Sequence, residues 1–177
     1  MTYNANISKV VLGEYFGEEH KMNIDVTILL LLHSVNYNCD CNKVLDAFTE
    51  LVPMENLEID DAMRHYLTFF DLPGEGQKVD RIMQIFARKY INDNPNSPYK
   101  SATAAYTLSY LMMMLQTSAH NPQVQEKDRM TMQQFCNLAK GINDGENLSQ
   151  ELLQGLYTRI WKVPLAIPDS ERLKQNL

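Results

Sequence analysis

The stretch "ATAAYTLSYLMMMLQT", residues 102–117, contains no charged residue and is apolar on almost every side of a helical wheel. A helix on the surface needs a polar face toward water, so a helix of this composition belongs in the centre of a domain or in the wall of a groove. Turn-forming segments bound it on both sides, "NDNPNSP" at 92–98 and "SAHNP" at 118–122. The stretch therefore predicts a long, buried helix.

The segment before it has the pattern of an amphipathic helix that ends near Asn92. Its apolar residues recur three and four positions apart and share one face: Val79, Ile82, Met83, Phe86 and Tyr90. Asp80, Arg81 and Lys89 fall elsewhere and are expected on the surface. Since no segment shows the period-two alternation of a strand between hairpin turns, the chain is predicted to be all-α.

Other segments show the same helical spacing. Upstream are "NKVLDAFTEL" at 42–51 and "IDDAMRHYLTFF" at 59–70, and downstream is "RMTMQQFCNLAKGI" at 129–142, with Gly141 as the expected stop. A last helix begins after Asn147, the predicted N-cap, with Gln150 three residues later in a capping-box arrangement. Its buried stripe is predicted to include Leu152, Leu156 and Ile160, with Leu153 as a further candidate.

Bulk composition limits the possible partners. A chain of 177 residues with 45% hydrophobic residues suits a single domain, 1–177, with a real core. The formal net charge of −6 argues against a nucleic-acid partner, which would require clustered Lys and Arg. Three cysteines form no disulfide framework and favour a reducing compartment. The longest apolar run, 28–32, is far short of the roughly 20 residues that span a bilayer, so a soluble chain is expected.

Signatures of covalent chemistry are missing from the sequence. His33, Cys39 and Cys41 lie close together, but this spacing lacks the second ligand pair of a structural zinc site. The segment "KGINDGENLSQE", 140–151, imitates a calcium loop, yet Lys140 and Ile142 occupy positions where that loop needs oxygen ligands. No Walker loop, nucleophile elbow or dinucleotide fingerprint is present. We expect no metal, no cofactor and no covalent catalysis.

Two features leave alternatives open. The methionine run 112–114, together with Met83 and Met130, can fill gaps in a core or line a pliable apolar groove for a partner. The turn "DLPGEGQK", 71–78, places Glu75 between two predicted helices. That carboxylate can be an ordinary acid at a helix N-terminus, stabilised by the helix dipole, or it can have a specific role.

The segments "FFDLPGEGQKVDRIMQIFARKY", 69–90, and "AAYTLSYLMMMLQTSAHNP", 104–122, resemble the two signature motifs of the Sec-seven domain, and both occur in the expected order. The similarity continues to the C-terminus and covers most of the chain. Members of this family are exchange factors for ADP-ribosylation-factor (Arf) GTPases. The resemblance implies a right-handed superhelix of amphipathic helices and a role in vesicle-mediated membrane traffic.

The resemblance also implies roles for particular residues. Glu75 matches the invasive glutamate that drives GDP release, and Asp80 matches an acid that pairs with a basic residue of the GTPase. The full set of residues assigned to GTPase binding is Gln77, Asp80, Tyr106, Tyr110, Met113, Met114, Gln116, Thr117 and Asn121. Exchange of this kind is a change in nucleotide affinity and needs no acid–base or nucleophilic catalysis.

Several features depart from the family pattern. Only about ten residues precede "GEYFGEEHKMN", 13–23, which suggests an N-terminally shortened domain, and residues 24–41 resemble an insertion. Gln116 stands where Asn is usual. Leu111 and Ser118 differ from the residues of brefeldin-sensitive members, so insensitivity to brefeldin is expected.

The alternative function is a non-catalytic helical module that binds a GTPase or another partner without exchange. The expected location is the cytoplasm, peripheral to Golgi, endosomal or plasma membranes, with indirect membrane contact.

Overall fold

The computed structural model describes residues 41–69 and 76–165, apart from the side chains of 41–44 and 47. Within these ranges the chain forms six α-helices and one turn of 3-10 helix, Glu126–Asp128. The α-helices are α1 (Cys41–Leu51), α2 (Ile59–Tyr66), α3 (Gly76–Asp93), α4 (Ala102–His120), α5 (Met132–Leu138) and α6 (Gln150–Lys162). In the same ranges the only β-type pairing is an isolated bridge between Asn143 and Glu146. The all-α prediction is confirmed.

Helix α4 is the central element. It packs against α2, α3, α5 and α6, and its Leu108, Met112 and Leu115 are completely buried. Ser101 begins the helix as N-cap, because its side chain accepts a hydrogen bond from Ala104 N, 3.1 Å away. The helix continues through His120, three residues beyond the predicted segment, and ends just before Pro122. One turn is thereby added at the end that faces α5.

The position of Lys89 differs from the prediction. Its side chain is buried and its Nζ lies 2.6 Å from Asp93 Oδ1, one turn further along α3. Asp93 also accepts a hydrogen bond from Met54 N at 3.3 Å, so the pair joins the end of α3 to the segment between α1 and α2. The surface position predicted for Lys89 is therefore wrong, because a neighbouring carboxylate allows its charge to be buried.

The start of α6 also differs from the prediction. Ser149 is the N-cap, and its hydroxyl accepts a hydrogen bond from Leu152 N at 3.2 Å. Asn147 lies two residues earlier, where its Oδ1 accepts from Gly141 N at 2.9 Å. In α6 the residues that are buried are Leu153, Leu156 and Ile160, whereas Leu152 is partly exposed. The predicted cap is wrong by two positions, while most of the buried stripe is confirmed.

The segment that imitates a calcium loop has a structural role. Gly141 and Gly145 adopt positive φ angles of 73° and 89°, which suits residues without a Cβ. Asn143, within this turn, is buried and accepts a hydrogen bond from Lys100 N at 2.8 Å while it donates to Pro98 O at 3.2 Å. The turn thus supports the loop that leads into α4. Among the described residues there is no cluster of three or more His, Cys, Asp or Glu side chains that could hold a metal ion.

Three predictions fall wholly or largely outside the described ranges: the insertion, of which residues 24–40 are not described, the shortened N-terminal region, and the part of the turn that carries Glu75. Over the part of the chain that the structure describes, no helix is both long and apolar enough to cross a bilayer.

Candidate functional site

One face of α4 is left uncovered by the core and forms the floor of a groove. Five residues at helical spacing share this face: Tyr110, Met113, Met114, Thr117 and Ser118. The opposite face of α4 is buried, as at Met112 and Leu115. Because the helix is apolar on both sides, one side packs into the core and the other remains available to a partner. The helix is therefore both central in the domain and part of a groove, so the two positions predicted for it apply together.

The facing wall comes from the segment that leads into α5 and from α5 itself. It contributes Val124, Asp128, Met130, Gln134, Asn137 and Leu138. This wall is fixed to α4 by two hydrogen bonds, from Met130 N to Ser118 Oγ at 2.6 Å and from Arg129 Nη1 to Ala119 O at 2.9 Å. It is fixed to α6 by a third, from Tyr157 OH to Met130 O at 2.9 Å.

A capping box stabilises the start of α5 in the same wall. Thr131 Oγ1 accepts from Gln134 N at 3.3 Å, and Gln134 Oε1 accepts from Thr131 N at 2.8 Å. These reciprocal bonds set the direction in which α5 leaves the loop. They hold Leu138, at the other end of the helix, over the groove.

The first turn of α3 forms the end of the groove, through Gly76 and Val79. Glu75, which precedes Gly76 in the chain, lies outside the described residues. One peptide bond nevertheless joins Glu75 to Gly76, which lines the groove. The predicted invasive residue and the predicted groove are thus adjacent along the chain.

The groove is large and its lining is mostly apolar. Its volume is about 970 Å³, and exposed fractions of 47% for Met114, 39% for Tyr110 and 53% for Leu138 show that these side chains face solvent in the free chain. Exposed apolar side chains gathered in one groove are typical of an interaction site. Asp128 on the far wall is also exposed and gives that side a negative charge.

A short polar cluster connects α3 to α4 beside the groove. Tyr106 OH donates a hydrogen bond to Asp80 Oδ1, and the ring of Tyr106 lies 6.3 Å from that of Tyr110, centroid to centroid. The hydrogen bond to Asp80, followed by partial burial, raises the pKa of the Tyr106 hydroxyl. Tyr106 is therefore protonated at neutral pH and can act as the donor.

The structure brings some of the predicted GTPase-binding residues together and separates others. Tyr110, Met113, Met114 and Thr117 line the groove, Asp80 and Tyr106 lie beside it, and Gln77 is exposed in the first turn of α3. The remaining two, Gln116 and Asn121, do not line the groove either, and their side chains make intramolecular hydrogen bonds. Gln116 Oε1 accepts from Leu165 N at 2.7 Å, and Asn121 Oδ1 accepts from Gln123 N at 2.9 Å, just after α4.

The methionines divide between the two predicted roles. Met83 and Met112 are completely buried, whereas Met113, Met114 and Met130 line the groove. The far wall was missed by sequence reasoning, apart from Met130. Leu138 was the available signal, as an apolar residue within the helical pattern of 129–142, but that pattern does not show whether the side chain faces the core or solvent.

Comparisons with known proteins identify the family of this chain. The model of the family described as "Sec7 domain" matches residues 1–165. Among curated proteins, human (Homo sapiens) cytohesin-3 is 38% identical over 165 residues, which are 93% of this chain and 36% of the relative. Brefeldin A-inhibited guanine nucleotide-exchange protein 3 of Arabidopsis thaliana is 34% identical over 93% of this chain and 8% of its own length. The chain thus spans about a third or less of these curated relatives.

Solved structures show the same fold. The Sec7p catalytic domain has a TM-score of 0.69 and 32% identity, over 91% of this chain and 78% of that chain. The Sec7 domain solved with ARF1-GDP and brefeldin A also has a TM-score of 0.69, with 28% identity over 93% of this chain and 86% of the other. The family match over residues 1–165 and these similarities show that the chain belongs to the Sec7 domain family.

Proposed function

We propose that this chain is a guanine-nucleotide exchange factor that promotes GDP release from an Arf-family small GTPase. One observation carries the proposal: an exposed, mostly apolar groove ends at Gly76, the residue that follows Glu75 in the chain. Membership of the Sec7 domain family supports it, since a relative is named as a guanine nucleotide-exchange protein and a similar domain was solved with ARF1-GDP.

The groove has the chemistry needed to hold mobile loops of a GTPase. Met113, Met114 and Met130 present adaptable side chains that can fit apolar residues of a partner. Acidic side chains lie on both sides, Asp80 on α3 and Asp128 on the facing wall. Opposite charges on a partner would guide its approach and set its orientation. We expect the partner segment to combine apolar residues with Lys or Arg.

In this proposal Glu75 acts by competition between charges. A small GTPase holds its nucleotide through a magnesium ion and a lysine that neutralise the phosphates. A carboxylate placed there repels the β-phosphate and competes for both cations. At about 4 Å and an effective dielectric constant near 20, the repulsion between two unit charges is about 4 kcal/mol. At about 1.4 kcal/mol per factor of ten, nucleotide affinity would fall by almost a thousandfold.

Energy from the groove must offset this repulsion. The factor would therefore bind the nucleotide-free GTPase most tightly, and incoming nucleotide would displace it. The GTPase binds its nucleotide and the exchange factor in a linked way. The more the exchange factor weakens nucleotide binding, the more tightly it binds the empty GTPase compared with the nucleotide-bound one. No covalent bond in either protein is made or broken during exchange.

Fluorescent GDP release from an Arf protein tests the proposal. Wild-type chain should accelerate release, and Glu75→Lys should abolish the acceleration because it places a positive charge beside the phosphates. Glu50→Lys is a matched control, since Glu50 is exposed on α1, which packs against α3 and not against the groove. No acceleration by the wild type, or full activity of Glu75→Lys, would overturn exchange by Glu75. Arf binding without acceleration would instead favour the non-catalytic module.

A further inference from the structure

A three-residue polar cluster lies beside the groove. Asp80 and Gln84 are one turn apart on α3, and Tyr106 faces them from α4. Tyr106 OH donates to Asp80 Oδ1, while Gln84 Nε2 donates to Asp80 Oδ2 at 2.9 Å. Each oxygen of the carboxylate therefore has one donor, and the two donors approach from different helices.

The cluster directs the carboxylate without neutralising it. Both donors are uncharged, and within residues 41–69 and 76–165 no Lys, Arg or His forms an ion pair with Asp80. A carboxylate offers about four lone-pair positions, so roughly two remain after these hydrogen bonds. Asp80 thus keeps its negative charge together with acceptor sites for an external cation.

The surroundings give this carboxylate a fixed position relative to the groove. Val79, next to Asp80 in sequence, lines the groove, and the ring of Tyr106 contacts that of Tyr110, which is also part of the lining. The backbone of α3 and the ring on α4 belong to the two helices that pack most extensively against each other. Asp80 is held on a rigid support at the edge of the site.

We infer that Tyr106 and Gln84 are positioning residues, which hold the Asp80 carboxylate in the orientation needed to receive a Lys or Arg side chain of the docking GTPase. The inference rests on the proposed function and deepens it. A carboxylate that is already oriented loses less conformational freedom when it pairs, so the ion pair contributes more to docking. Without the two donors, Asp80 would retain its charge but lose its orientation.

The effect should appear in capture of the GTPase and not in the release step itself. For both Tyr106→Phe and Gln84→Ala we expect the KM for the GDP-bound Arf protein to rise about fivefold, with kcat changed less than twofold. The dissociation constant for the nucleotide-free GTPase should rise by a similar factor. In the Asp80→Ala background, neither substitution should have a further effect, because each acts through that carboxylate.

Matched controls separate positioning from general damage to the fold. Tyr99→Phe removes the hydroxyl of a tyrosine that has no hydrogen-bond partner within the described part of the chain, and Gln150→Ala changes an exposed glutamine on α6. Both controls should keep wild-type KM. Gln84 is itself exposed, so Gln84→Ala should fold normally, and thermal unfolding of Tyr106→Phe shows whether its fold is intact.

The results distinguish this inference from the proposed function. Wild-type KM in both single variants, or effects that multiply with that of Asp80→Ala, would overturn the positioning role while exchange stands. If the wild type binds the nucleotide-free GTPase without accelerating release, exchange is overturned and the dissociation constants decide the positioning role by the same criteria. If the wild type shows neither binding nor exchange, both the positioning role and the proposed function are overturned.

Discussion

Two buried tyrosines show how a single hydroxyl affects stability. Tyr66 OH lies 2.7 Å from Thr49 Oγ1, which itself donates to Leu45 O, so the Tyr66 hydroxyl is the donor of the pair. Tyr99 is also buried, but its hydroxyl has no hydrogen-bond partner among the described residues. The same chemical change should therefore have different consequences at these two positions.

Replacement of each tyrosine by Phe tests this difference. Tyr66→Phe should lower the free energy of unfolding by about 1 kcal/mol, because Thr49 loses a buried hydrogen bond. Tyr99→Phe should leave stability unchanged or raise it by up to about 1 kcal/mol, since a buried polar group without a partner is removed. Urea unfolding of the two variants provides the measurement. Equal losses in both would contradict the hydrogen-bond assignments.

Other single residues show why sequence alone could not predict every position. Lys89 is a charged residue that the structure buries, and only the proximity of Asp93 makes this possible. Gln116 lies within a motif of the predicted site, yet its side chain accepts a hydrogen bond from Leu165 N, 49 residues later. A periodic pattern reports which face of a helix is apolar. It does not indicate which residue will form a hydrogen bond or an ion pair with a polar side chain.

At the scale of one element, α4 carries both the core and the groove on opposite faces. Met112 and Met114 are two positions apart in this helix, but Met112 is completely buried while 47% of Met114 is exposed. Composition predicted that the helix is apolar all round. The division between core and groove depends on what packs against each face, and α5 was the element whose position the sequence did not reveal.

The two methionines provide a matched test of that division. Met112→Ala should lower the free energy of unfolding by about 3 kcal/mol, because it leaves a cavity in the core. Met114→Ala should change stability by less than about 0.5 kcal/mol, as expected for an exposed side chain. It should nevertheless reduce the kcat/KM of GDP release by at least about fivefold if the groove binds the GTPase.

Chemical denaturation and the release assay on both variants give the answer. A large loss of stability in Met114→Ala would show that its side chain belongs to the core. Wild-type exchange by Met114→Ala would show that the groove does not bind the GTPase.

At the scale of the whole molecule, a buried carboxylate connects elements that are far apart in sequence. Asp60 on α2 is completely buried and accepts hydrogen bonds from Arg64 Nη1 at 2.7 Å and from Arg159 Nε at 2.8 Å, on α6. Arg64 Nη2 also donates to Val163 O at 3.3 Å. These bonds join α2, the second described helix, to the last described helix, α6, and to the residue that follows it.

Loss of the Asp60 charge should weaken the entire fold. Asp60→Asn is expected to lower the free energy of unfolding by about 2 to 3 kcal/mol, less than for a fully buried pair because both arginines are partly exposed. Thermal or urea unfolding at neutral pH checks the size of this effect. Retention of wild-type stability by Asp60→Asn would contradict the structural role.

The same carboxylate predicts a pH dependence. Burial alone would raise the pKa of Asp60, but hydrogen bonds from Arg159 and Arg64 outweigh it and hold the pKa below the ordinary value of 3.8. A lowered pKa in the folded state means that this stabilisation is complete above about pH 4 and is lost as the pH falls further. The difference in unfolding free energy between the wild type and Asp60→Asn should therefore narrow as the pH falls from 6 to 3. A constant difference at all pH values would contradict this assignment.

The overall architecture was predictable because each helix carries its own signal. Apolar residues three and four apart indicated the helices from residue 42 onward, and the uncharged segment that became α4 indicated the centre of the fold. The site was predictable only in part. The α4 stripe repeats within one helix and could be recognised, whereas the far wall depends on loop geometry and on the bonds of Met130, Arg129 and Tyr157.

The central claim is that the negative charge of Glu75 drives nucleotide release while the groove supplies the binding energy. The most direct test is GDP release from an Arf protein by Glu75→Gln, which keeps the size of the side chain and removes only its charge. We expect the rate to fall at least about a hundredfold, while the variant still binds the GTPase through the groove. Exchange by Glu75→Gln at the wild-type rate would contradict the account.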